Sequence, residues 1–317
     1  MLCVNNEKAY LYLHMNAGIA QLVEHFTRNE GVVGSSPISS LYRYQILTML
    51  DIWYFYFIEQ NHNHLFLSDT NHTAKNHRKE NGNMAGTMVH MLTTKKIIER
   101  LGTKNISNIP SFYIGNFAPD AIHVREGYRR EWKMCTHFRE NIPDDAFHQK
   151  ENLALFHSRL KAFAEKNLSR CKEGSPEYDF YRGYVTHLLT DELFMRSIRI
   201  EFMDKIAETG LTQYNPETFV HFTYDVNQID FKIAATEEGM QDVYRWILTA
   251  PVFEVHGLLK KSEVEKSRKW VLNMYYDSHP VYDSPVYLRY ERMLQFAEEA
   301  AVYVVDTAKK DYLTLDF

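Results

Sequence analysis

The sequence has little cysteine, no excess of positive charge and no long apolar run, and each shortage excludes a class of protein. The three cysteines, Cys3, Cys135 and Cys171, form neither a disulfide framework nor a Cys-x-x-Cys metal motif, which favours a reducing compartment such as the cytoplasm. The formal net charge of −5 gives no basic footprint for nucleic acid. The most apolar stretch, residues 45–59, is too short to cross a bilayer and contains Asp51, so we expect no transmembrane segment.

Signals of three other classes are missing as well. No basic region followed by an apolar run opens the chain, so no secretory signal is predicted. There is no glycine-rich phosphate loop, and the His-Asp dipeptide of one class of phosphohydrolases occurs nowhere. The remaining composition, 45% hydrophobic and 24% charged, is typical of a globular protein that can build a core.

Residues 17–40, AGIAQLVEHFTRNEGVVGSSPISS, show no sustained helical or strand period. With suitable codons, this stretch resembles a translated transfer-RNA gene: successive parts can encode a D arm, an anticodon arm and a T arm, in that order. The tract that follows resembles translated A/T-rich DNA. We therefore expect residues 1–83 to be a spurious extension that packs poorly, with the natural start at Met84 or Met88.

From Met84 onward the pattern becomes helical, and alternating strand patterns are scarce. Helical spacing, N-cap residues and prolines at first helical positions predict helices at these places: residues 88–102, near 151–167, from Pro176 to about Glu208, from Pro216, from a Ser262–Glu265 capping box, and from Pro285 to about Lys310. A segment containing Pro110, Gly115 and Pro119 is predicted to be a loop. Residues 84–317 are therefore expected to form one all-α, multi-helix domain.

His187 and Asp191 stand four residues apart on the long predicted helix, within YRGYVTHLLTDELF. Their side chains should share one face, about 5–6 Å apart at Cβ, and could bind one divalent metal. The helix is apolar on most sides, and burying a polar group without a partner costs roughly 2–7 kcal/mol. The alternative is a buried His–Asp hydrogen bond that holds two helices in register.

Three more segments offer metal-ligating side chains: MVHML contains His90, FYIGNFAPDAIH contains Asp120, and KMCTHFRE contains His137. Together with the His-x-x-x-Asp motif, these elements resemble, in this order, the zinc-dependent phospholipase C-like family, all-α metallohydrolases related to the S1/P1-type nucleases. The resemblance extends over about residues 88–201.

The resemblance implies a main zinc site formed by Asp120, His137, His187 and Asp191. His90 would be a ligand to a neighbouring metal or lie beside it, and Asp120 would also accept the proton of a metal-bound water. We expect one zinc ion rather than several, because the chain lacks the further histidine that follows the His-x-x-x-Asp motif in the secreted enzymes.

Five further residues are weaker candidates. His221 and Asp225 could be the counterpart of a later metal-binding His-x-x-x-Glu pair, and His123 could orient the Asp120 loop or touch substrate. Arg196 and Arg199 could hold a substrate phosphate, since arginine suits bidentate oxyanion contacts. The simpler interpretation pairs both arginines with nearby glutamates.

The leading hypothesis is a zinc-dependent hydrolase that attacks a small-molecule or lipid phosphoester with metal-activated water. The alternative is a helical metal-binding or partner-binding protein without catalytic activity. Four protein ligands fill a tetrahedral site, so catalysis would need five-coordination or a ligand that dissociates. No motif identifies the substrate or the oligomeric state.

Overall fold

The computed structural model describes residues 85–311, and within that range the chain is helical, with a single isolated β-bridge between Val255 and Leu259. The predicted extension and the predicted start at Met84 lie outside the described residues. The α-helices, numbered in chain order, are α1 Thr87–Leu101, α2 Ile109–Phe117, α3 Arg130–Thr136, α4 Lys150–Leu168, α5 Pro176–Arg196, α6 Ile198–Ala207, α7 Pro216–Thr236, α8 Met240–Thr249, α9 Lys261–Leu272 and α10 Tyr290–Asp311. The all-α prediction is confirmed for this range. No helix in it is both long and apolar enough to cross a membrane.

Helix α5 is the central element of the bundle. Ser175 caps its first turn by accepting a hydrogen bond from the backbone N–H of Tyr178 at 3.2 Å, and Pro176 occupies the first helical position, as predicted. Most of the helix is buried, and it packs against α1, α2, α4 and α10. A helix that is buried on all sides is expected to be part of the hydrophobic core. Here the same helix also carries the polar residues of the candidate site.

Helices α2 and α5 approach each other closely at two glycines. A Cβ atom on Gly115 would lie 1.9 Å from the backbone oxygen of Phe180, and one on Gly183 would lie 2.1 Å from that of Phe112. Because real Cβ contacts are never this short, only glycine permits this crossing. The crossing brings the end of α2 next to the middle of α5.

The predicted loop through Pro110, Gly115 and Pro119 is wrong. Pro110 lies in the first turn of α2, where its missing N–H is not needed, and Pro119 lies in the first turn of a short 3₁₀ helix, Ala118–Val124. Gly115 stands inside α2 because of the close helix crossing, not because the chain turns there.

Three predicted helix boundaries differ from the structure. The long helix ends at Arg196 and α6 begins at Ile198, because the Ser197 hydroxyl donates to the Leu193 carbonyl at 2.7 Å and competes with the helical pattern. Helix α9 begins at Lys261, where the Glu263 carboxylate accepts the Lys260 N–H at 2.7 Å in place of the predicted capping box.

The last helix begins at Tyr290 rather than after Pro285. The backbone N–H groups of Val286, Tyr287 and Leu288 donate to the Asp225 carboxylate of α7, at 2.6 to 2.8 Å. Hydrogen bonds to a side chain on another helix thus replace the first turn that the sequence predicts.

Candidate metal centre

The centre is built around one face of α5. His187 and Asp191 are one turn apart and both are buried, and His187 Nε2 lies 3.4 Å from Asp191 Oδ2. The pair could be a simple buried hydrogen bond, as the alternative interpretation holds. Two further residues reach the same point, however.

His137 comes from the end of α3. Its Nδ1 lies 2.9 Å from the Lys133 carbonyl oxygen, which fixes the proton on Nδ1 and leaves the lone pair of Nε2 directed at the centre. The next residue, Phe138, has a φ of 54°, a left-handed conformation that costs a non-glycine residue on the order of 1–2 kcal/mol. Its ring packs on Phe163 and Tyr184, so packing holds the turn that ends α3 directly after His137.

Asp120 comes from the 3₁₀ helix that follows α2. Its Oδ1 lies 3.4 Å from His137 Nε2, and its Oδ2 lies 3.9 Å from His187 Nε2. Lys133 Nζ lies 2.7 Å from Oδ1. The Asp120 side chain is 24% exposed, whereas that of His187 is 1% exposed, so the centre meets solvent on the Asp120 side.

The separations match those of a tetrahedral site. Donor atoms that each lie ~2.0–2.2 Å from a zinc ion stand about 3.3 Å from one another. His137 Nε2 lies 3.2 Å from His187 Nε2 and 3.5 Å from Asp191 Oδ2. The donor atoms of His137, His187 and Asp191 are thus 3.2 to 3.5 Å apart, and Asp120 approaches them with Oδ1 3.4 Å from His137 Nε2 and Oδ2 3.9 Å from His187 Nε2.

His90 of α1 lies beside this group. Its Nε2 is 3.2 Å from Asp191 Oδ1, the oxygen that does not face His137, and its ring stacks on that of His187 at 3.9 Å with an interplanar angle of 13°. Asp191 thus contacts His90 with one oxygen and the main group with the other. Within the described residues, His90 with His187 and Asp191, and His187 with Asp120 and His137, form two groups that could hold a metal ion.

The protonation states suit metal binding. Burial lowers the pKa of His137 to about 4, so its imidazole is neutral at pH 7. Burial acts to raise the pKa of Asp191, but His187 and His90 outweigh it and hold that pKa well below its ordinary value. The pKa of Asp120 is likewise held well below its ordinary value, because Lys133 and the two histidines outweigh its burial. Neutral histidines and ionised carboxylates are the forms that bind metal.

Several of these buried atoms have no hydrogen-bond partner. Nδ1 of His187 is in this position, and the oxygens of Asp191 and Oδ1 of Asp120 have only ion-pair contacts, to His90, His187 and Lys133, in place of well-directed hydrogen bonds. Buried polar atoms are nearly always satisfied, and leaving one unpaired costs ~1–3 kcal/mol. A cation between the carboxylates and the imidazoles would satisfy most of these atoms.

The structure places the weaker candidates outside the two groups or at their edge. His123 is exposed, 3.9 Å from Asp120 Oδ1, and contacts Tyr128 edge-on. Asp225 is occupied by the backbone N–H groups that precede α10, and His221 packs edge-on against Tyr287.

The two arginines are engaged in ion pairs. Arg196 Nη1 donates to Glu192 at 3.0 Å, and the buried Arg199 lies 3.7 Å from Asp144. Arg130 and Arg139 also pair with Asp144. These contacts match the simpler interpretation, except that Arg199 pairs with an aspartate far along the chain.

Lys133 was missed by the sequence analysis. It stands four residues before His137, and this spacing on a short helix could have indicated that both residues face the same centre.

Comparisons of the chain with protein-family models, with curated proteins and with solved structures found no match.

Proposed function

We propose that this protein is a zinc-dependent hydrolase that cleaves a phosphoester. The observation that supports it most is the convergence of His137, His187, Asp120 and Asp191 at tetrahedral separations in a buried setting. The resemblance to the zinc-dependent phospholipase C-like family points to the same four residues, and we expect the described domain to adopt that type of bundle. We also expect a cytoplasmic location, which rests on the scarce, unpaired cysteines.

The donor set fits zinc better than calcium or magnesium. Two imidazole nitrogens and two carboxylates are ligands that zinc accepts, whereas calcium and magnesium take sites made of oxygen alone. A zinc ion there would supply a Lewis acid and a bound water of lowered pKa. The Lys133 carbonyl accepts a hydrogen bond from His137 Nδ1, which leaves Nε2 free for the metal. Asp120, the partly exposed member, would accept a proton from water on the solvent side.

A second candidate function follows from the same geometry. Four protein donors close a tetrahedral site, which is the pattern of structural zinc. In that case the metal would join α3, α5 and the 3₁₀ helix without chemistry. Turnover separates the two candidates, because both require the metal.

The test is metal analysis of the protein followed by an activity assay. We expect about one zinc per chain in the wild type and less than a tenth of that in His187→Gln, since a ligand is lost. The zinc-loaded protein should hydrolyse bis(4-nitrophenyl) phosphate or 4-nitrophenyl phosphate, and chelation should abolish that activity.

His221→Gln is the matched control. His221 is another histidine of a His-x-x-x-Asp pair but lies outside the metal groups, so this variant should keep its zinc and its activity. Wild-type protein without zinc would refute the metal centre. One zinc per chain with neither substrate hydrolysed would favour the structural role.

A further inference from the structure

A lysine stands at the solvent edge of the metal centre. Lys133 Nζ lies 2.7 Å from Asp120 Oδ1, and the Lys133 side chain is 16% exposed. Among the described residues, no other lysine or arginine forms an ion pair with a member of the centre. The helix α3 therefore supplies both a histidine and a cation to the same place.

The charge of the centre explains what such a cation could do. Two carboxylates, Asp120 and Asp191, neutralise a divalent ion, and the histidines are neutral ligands. The occupied centre would therefore have no net charge of its own, and Lys133 would make it positive. A positive site that opens to solvent favours an anionic ligand over a neutral one.

The geometry leaves the ammonium able to act in this way. A lysine ammonium has three N–H donors, and Asp120 can accept only part of them. Lys133 contacts Asp120 Oδ1, the oxygen that also lies 3.4 Å from His137 Nε2, so the ammonium stands directly beside the metal ligands, and the Lys133 side chain is 16% exposed. Its backbone carbonyl, not its side chain, orients His137, so the two roles of this residue can be separated by mutation.

We propose that Lys133 binds an oxyanion, of the phosphate type, next to the metal. This inference rests on the proposed function and names the residue that makes the same centre selective for anionic substrates. Lys133 contacts the ligand oxygen while remaining close to Asp120. Charge-assisted hydrogen bonds to phosphate oxygens are among the stronger polar contacts.

Binding of inorganic phosphate to the zinc-loaded protein tests the proposal, with titration calorimetry as the readout. Lys133→Met should raise the dissociation constant for phosphate about tenfold or more, whereas Lys133→Arg should stay close to wild type. Imidazole, a neutral zinc ligand, should bind equally to all three proteins. Zinc content should remain about one per chain, because the four ligands and the Lys133 carbonyl are kept.

Lys96→Met is the matched control, since Lys96 Nζ makes an ion pair of 2.8 Å with Glu298 outside the centre. It should bind phosphate like the wild type. Equal phosphate affinity in Lys133→Met and wild type would overturn the inference while leaving the zinc centre intact. Loss of zinc in Lys133→Met would also overturn it, because Lys133 would then act only by positioning Asp120. Absence of zinc from the wild type would instead refute the proposed function.

Discussion

His90 can affect the centre in one of two ways, as a ligand of a second metal or as a support for Asp191. Its Nε2 lies 3.2 Å from Asp191 Oδ1, and its ring is stacked flat on His187. We favour the supporting role, because Asp120 and His137 lie outside the group that His90 forms with His187 and Asp191. A residue that orients a metal ligand typically changes metal affinity ten- to a hundredfold when it is lost.

His90→Ala should therefore keep a stoichiometry of one zinc per chain while the zinc dissociation constant rises about 10- to 100-fold. Competition with a chromophoric chelator measures this constant. If wild-type protein binds two zinc ions and His90→Ala binds one, His90 is a ligand and the single-zinc prediction is wrong.

The site residues could be predicted to different degrees from the sequence. His187 and Asp191 are four apart on one helix, so local spacing alone brings them together. Asp120 and His137 come close to them only through the tertiary fold, so sequence spacing could not predict them. Their assignment as ligands was predicted from the family resemblance. Asp225 looked like a ligand because its spacing from His221 repeats the motif, but its carboxylate binds backbone N–H groups more than 60 residues away. Spacing cannot reveal such a partner.

At the scale of elements, the crossing of α2 and α5 fixes how far Asp120 lies from His187. Gly183 is one turn before His187, and a Cβ there would lie 2.1 Å from the Phe112 oxygen and 2.9 Å from the Asn116 nitrogen. Both neighbours are backbone atoms, so neither can move aside without moving α2.

Gly183→Ala should therefore lower the free energy of unfolding by about 1–3 kcal/mol or more, the usual cost of overpacking. It should also weaken zinc binding, because the two halves of the centre separate. Urea unfolding in excess chelator measures the first effect apart from the second. A variant as stable as wild type would show that the helices do not cross as closely as described.

Helix boundaries were predictable where a local signal determined them and unpredictable where a distant one did. Ser175 and Pro176 start α5 through contacts within four residues, and that prediction was confirmed. The start of α10 depends on Asp225 of another helix, so Pro285 gave a false signal. Gly115 was predicted to be a loop residue, but glycine is required there because α5 passes too close for a side chain. A contact with a distant helix cannot be recognised from the local sequence.

At the scale of the whole molecule, Asp230 links α7 to the start of α1. Its Oδ1 accepts the backbone N–H of Val89 at 3.3 Å, and the residue is fully buried. Burial raises the pKa of Asp230 to about 7, although the backbone N–H groups of Met88 and Val89 act to lower it. A carboxyl group with an ordinary pKa near 4 in the unfolded chain thus holds its proton more tightly in the folded one.

The direction in which stability changes with pH follows from the difference between the folded and unfolded pKa. Because the folded pKa is the higher one, this group's contribution to stability is fully present below about pH 4 and is lost as the pH rises to about 7, by up to ~1.4 kcal/mol per pH unit. Asp230→Asn imitates the protonated form and does not titrate. Relative to wild type, it should therefore be more stable at pH 8 than at pH 5.

Urea unfolding of both proteins in excess chelator, at pH 5 and pH 8, measures the difference. The pKa of Asp144 is lowered because three arginines outweigh its burial, so Asp144 changes stability with pH in the opposite direction. Both proteins contain Asp144, so its contribution cancels in the comparison. An equal stability difference between the two proteins at both pH values would show that Asp230 is ionised in the folded state throughout this range.

The exposure of Asp120 has a kinetic consequence. The side chains of the other three tetrahedral ligands are between 1% and 6% exposed, whereas that of Asp120 is 24% exposed. A metal ion that enters or leaves would therefore pass Asp120. This carboxylate would be the first ligand to bind an entering ion and the last to release a departing one. The rate of metal exchange would then be set by the movement of one side chain rather than by the opening of the bundle.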